Sequence, residues 1–225
     1  MQIYVSRNGD LGFSFDRPFR RGGSSRYLTI TFLLVPKKLS HLPKRIVRKI
    51  FRKKKFGGDI DLKGARLTLS DKTFFAGKAT DLLGRHPEIR VFCVTIDKET
   101  IKDHIRDNRG MIYNHINRLV LSERIRNESR VTFSPNKQSI KAKDWVCLAD
   151  YLQSELWFEL NSNTVIENSH REDIKSLNHR FIDWIGHIIW SKYEDNESEA
   201  YEILIRSITT TPWWETLSDQ EGLAP

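Results

Sequence analysis

The opening, Met1-Gln-Ile-Tyr-Val-Ser-Arg-Asn-Gly-Asp-Leu-Gly12, constrains the fold most, because a short hydrophobic run ends there in a glycine turn. Residues 2–6 and 26–35 are rich in branched and aromatic side chains, the second run being closed by Pro36, and both read as buried strands. Helical and strand patterns then alternate along the chain, an order that suits a mixed sheet flanked by helices. Helices are predicted over 41–55, 70–84, 99–126 and 143–159, and strands over 89–96, 130–134 and 163–167.

Charge is divided unevenly along this plan. Residues 1–66 hold 17 Lys/Arg against 4 Asp/Glu, whereas residues 67–225 hold 20 against 25. A basic lobe of this kind attracts phosphate and implies DNA or RNA as partner. Within it, the loop Arg17-Pro-Phe-Arg-Arg-Gly-Gly-Ser-Ser-Arg26 either grips phosphates through backbone N–H groups and Arg17, Arg20, Arg21 and Arg26, or is a solvated hairpin connection. The helix over 41–55 takes Ser40 as its N-cap and turns Ile46, Val47, Ile50 and Phe51 to one side. Its other faces carry Lys44, Arg45, Arg48, Lys49 and Arg52, followed by Lys53, Lys54 and Lys55. The narrow apolar stripe lacks tryptophan, which favours nucleic acid over an anionic membrane; the alternative is a solvated face of a packed helix.

A chain of 225 residues, 39% hydrophobic, suits a single domain over 1–206 with a basic helical insertion at about 37–56 and a tail over 207–225. No run approaches the roughly 18 apolar residues of a membrane span, and the start lacks the plan of a signal peptide, so a cytoplasmic protein is expected. Cys93 and Cys147 lie in apolar surroundings and read as reduced core thiols. The aromatics of 143–159 are assigned to the core, while Trp213 and Trp214 leave room for a homodimer or a partner protein. On the last long helix, His179, Asp183 and His187 fall at i, i+4 and i+8, a polar stripe that needs a metal, a phosphate or ordinary hydrogen-bonding partners.

The opening residues Ile3, Tyr4, Asn8, Gly9, Asp10 and Gly12 resemble the first strand of the bacterial domain-of-unknown-function 3800 family. Asp61, Lys63 and Gly64 resemble its E-x-K-G-like element, and Ser176, Leu177 and Asp183 keep the outline of its last helix. The resemblance implies a ribonuclease-H-like α/β fold in a bacterial protein. It also implies a site at Ser6, Asp61, Asn136 and Asp183, with Lys63 near the scissile phosphate and Asp61 and Asp183 as the remaining ligands for Mg or Mn. The chain departs from the family at Ser6 and Arg7, where acids are usual, and at Asn136, which is neutral. The expected function is therefore a nucleic-acid-binding protein of nuclease-type fold, hydrolysing phosphodiesters with metal if active, and catalytically degenerate if Ser6 and Asn136 cannot replace acids. Alternatives are an enzyme using Asp10, Asp97 or Asp183 as ligands, or a non-catalytic binding or partner subunit of a defence or mobile-element system.

Overall fold

The computed structural model describes residues 1–54, 62–134, 142–168 and 176–212, with side chains described except at 142–147, 211 and 212. Asp61, Asn136, Trp213, Trp214 and the side chain of Cys147 lie outside that set. The strands are β1 (Gln2–Asn8), β2 (Tyr27–Val35), β3 (Arg90–Asp97), β4 (Arg130–Ser134), β5 (Val165–Asn168) and β6 (Thr209–Pro212). They form one mixed sheet in the order β5-β4-β1-β2-β3-β6, with β1, β2 and β3 antiparallel and β4, β5 and β6 each parallel to their inner neighbour. Helices are α1 (His41–Lys53), α2 (Leu69–Arg85), α3 (Asp103–Arg106), α4 (Arg109–Ile125), α5 (Ala142–Ser154), α6 (Leu177–Glu194) and α7 (Glu199–Leu204). Among the described residues, no helix is long and apolar enough to cross a membrane.

Strand side chains alternate between faces, so β1 and β2 feed two separate cores. Tyr4, Leu33 and Val35 join α1, α2, α6 and α7 on one face, where Phe75 meets both Phe181 and Trp184 edge-on. Ile3, Val5, Ile30, Phe32 and Leu34 pack with α4 and α5 on the other. Burial on both faces explains why β2 reads as a near-continuous apolar run.

Several sequence expectations change in three dimensions. Ser40 makes no side-chain cap, because it continues a 3-10 turn (Lys37–Leu39) in helical conformation instead of standing outside the helix. The single helix expected over 99–126 is broken into a 3-10 turn (Lys98–Thr100), α3 and α4, with the Arg106 guanidinium folded back onto the carbonyls of Ile101 and Glu99. α5 runs into a π-turn (Glu155–Glu159), which shifts the helical register by a residue; Leu156 stays in the core while Trp157 and Phe158 turn outward, Phe158 being 79% exposed. Residues 209–212, assigned to a tail, form the edge strand β6. Cys93 is free and buried, with its thiol pushed up to about 12 by desolvation.

The basic loop between β1 and β2 is folded onto the body. Asp10 accepts from the Gly12 and Ser25 N–H groups, and the fully buried Lys98 ammonium donates to the Asp10 and Gly12 carbonyls. Phe13 and Phe15 hold the Lys98 and Arg106 cations against their rings.

Candidate functional site

Alternation along β1 separates the two positions where acids were expected. Ser6 faces α6, whereas Arg7 turns to the opposite face, beside Tyr113 of α4. Only Ser6 can therefore contribute to a site on the α6 side. Its hydroxyl donates to Asp183 Oδ1 at 3.3 Å, joining residues 177 positions apart. Asp183 Oδ2 accepts from the Gly64 N–H at 3.1 Å.

Two glycines make that junction possible. A Cβ at Gly64 would run into the His187 side chain, so only glycine lets the 3-10 turn Gly64–Arg66 press against α6. Gly186 likewise admits Asn8 and Thr31, which a Cβ there would strike. Trp184 completes the anchor by donating from Nε1 to the Leu62 carbonyl at 2.9 Å. Lys63 is exposed and immediately precedes this 3-10 turn, in extended conformation.

The polar stripe on α6 finds mostly hydroxyl partners. His179 Nε2 lies 3.0 Å from Ser134 Oγ at the end of β4, and its ring meets Tyr4 edge-on. His187 stacks on Trp190 and approaches Ser191 Oγ at 3.4 Å. Burial lowers both histidines to about 4, which keeps them neutral near pH 7. Burial also raises the Asp183 carboxyl above its ordinary value, and the Gly64 N–H, Arg180, Ser6 and Lys63 only partly offset it.

Such a carboxyl is a poor start for a two-cation site. Its two near partners are a hydroxyl donor and an N–H donor, and desolvation favours its protonated form. Among the described residues, no group of three or more His, Cys, Asp or Glu side chains could hold a metal ion. Asp10 is occupied by Lys98 and the turn amides, and Asp97 by Arg26, with Nη2 to Oδ2 at 2.6 Å. The described residues therefore do not fit Mg or Mn; Asp61 and Asn136 lie outside them.

The basic residues divide into two groups. In the loop, Arg20 pairs bidentately with Asp195 at 2.8 Å, Arg26 with Asp97 and Glu99, and Arg17 with Asp16, while Arg21 is exposed. On α1, Lys44 is half-buried and Arg45, Arg48, Lys49 and Arg52 point to solvent. Lys54 ties the end of α1 to Asp71 at 2.6 Å. The sequence reading quoted Gly64 only as part of the family-like element and missed Gly186, although a glycine within an apolar helix is a signal of a packing role.

No protein-family model matches the chain, and no curated protein matches it. A solved structure with some likeness is the PCNA:RNase HII complex from Archaeoglobus fulgidus, at 12% identity and a TM-score of 0.46, covering 89% of this chain and 77% of that one. A likeness of that depth carries no argument about this chain.

Proposed function

We propose that this protein binds nucleic acid on a ribonuclease-H-like scaffold whose hydrolytic site is degenerate. The observation that carries the reading is the Ser6–Asp183 hydrogen bond, which joins the first strand to the last long helix, where the family resemblance calls for converging carboxylates. A hydroxyl there cannot supply the charge that a divalent cation needs. The exposed cations of α1 support the binding half of the reading, since among the described residues they have no acidic partner of the kind that occupies Arg20 and Arg26.

Three measurements test it together. The protein is expected to retain short DNA or RNA in the presence of EDTA, with affinity falling about tenfold or more between 50 and 200 mM salt. No cleavage with Mg or Mn is expected from the wild type. Ser6→Asp combined with Asn136→Asp is expected to introduce a Mg-dependent rise in Tm, because two carboxylates would be restored. Salt-insensitive binding, or metal-dependent cleavage by the wild type, would overturn the proposal.

A further inference from the structure

Gly77 sits in the middle of α2, and nothing among the described residues requires it, because a Cβ built there meets none of their atoms within 4 Å. Glycine in a helix interior is destabilising relative to alanine. Gly186, also mid-helix, is explained by its contacts with Asn8 and Thr31, and the equally open Gly84 and Gly110 lie close to helix ends, where the cost is small.

Phe74 stands one turn before Gly77, and residues at i and i+3 share a helix side. Its ring is 38% exposed. Lys53 Nζ, from the end of α1, lies 5.3 Å from the ring centroid and Lys78 Nζ lies 6.0 Å from it, Lys78 also meeting Asp81 at 3.5 Å. The exposed row Arg45, Arg48, Lys49 and Arg52 runs along α1 to this point. The two ammonium groups lie over the ring as cation–π partners, and a base that stacks on Phe74 takes their place while the flexible lysines swing onto the phosphates at either side of it.

We propose that Phe74, with Gly77 leaving its flank open and Lys53 and Lys78 meeting the adjoining phosphates, stacks on an unpaired base, so that the nucleic acid this chain takes is single-stranded. The inference rests on the nucleic-acid reading above. Bases in a duplex are already stacked on one another and cannot reach a side chain on a convex helix surface.

The experiment uses the full chain and fluorescence anisotropy at about 50 mM salt, with a labelled oligothymidine of about 12 nucleotides, an abasic strand of equal length and a matching duplex. The wild type is expected to prefer the thymidine strand over the abasic strand by about 5- to 100-fold. Phe74→Ala and Gly77→Ala should each remove that preference and leave abasic binding unchanged. Gly77→Ala should at the same time raise Tm by about 2–4 °C, so that its loss of binding cannot be unfolding. Equal wild-type binding of thymidine and abasic strands, tighter binding of the duplex, or a preference that survives both substitutions overturns the stacking proposal alone. Binding of no strand at all overturns the nucleic-acid reading as well.

Discussion

At the scale of single residues, Asp183 decides what the α6 side of the sheet can do. Burial raises its carboxyl above the ordinary 3.8, so the folded protein holds a proton there that the unfolded chain would release. The stability this group lends is present below pH 3.8 and is lost as pH rises through the raised value. Asp183→Asn removes the ionisation and keeps an acceptor for the Gly64 N–H. The variant is expected to melt at a higher temperature than the wild type at pH 7, with the gain vanishing toward pH 4. The buried histidines run in the opposite sense: lowered from 6.5 to about 4, they withdraw stability as pH falls through that window. Because they do so in wild type and variant alike, the difference between the two Tm curves reports Asp183. A lower Tm for Asp183→Asn at every pH would mean that the charged carboxylate is the native form.

Contacts between elements bring the site together through close backbone approach. The 3-10 turn beginning at Gly64 touches α6 at His187 and Asp183, and α6 in turn touches β1 and β2 through Gly186. Gly64→Ala sets a methyl against the His187 Cβ, which cannot rotate away, and must break the Gly64–Asp183 hydrogen bond. A loss of about 1–3 kcal/mol is expected in denaturant unfolding. An unchanged midpoint would show that the turn moves freely relative to α6. The α5 π-turn belongs to this scale too, since one extra residue in a helical turn moves Trp157 and Phe158 from the core face to solvent.

For the molecule as a whole, the sheet edge that β5 forms among the described residues matters, because an unpaired strand invites other chains. Gln153 covers it: Oε1 accepts from the Ile166 N–H at 2.7 Å and Nε2 donates to the Thr164 carbonyl at 2.8 Å, as a neighbouring strand would. Trp157 Nε1 adds a second donor to that carbonyl. Gln153→Ala is expected to cause concentration-dependent self-association, read by light scattering; a strictly monomeric variant would mean the edge needs no cover. Much of this architecture was legible along the chain. Apolar runs of branched residues marked β1 to β4, and 3.6-residue spacing marked α1, α2 and α6, because strand and helix periodicities follow from which side chains must be buried. The spacing of His179, Asp183 and His187 likewise announced a polar stripe. What local sequence could not carry was anything that depends on distant partners: Arg20 and Arg26 taken up by Asp195 and Asp97, Trp157 turned outward, β6 added beside β3, and Ser6 set against Asp183. Periodicity is written in neighbouring residues, but the partner of a buried carboxyl is chosen by the packing of the whole chain.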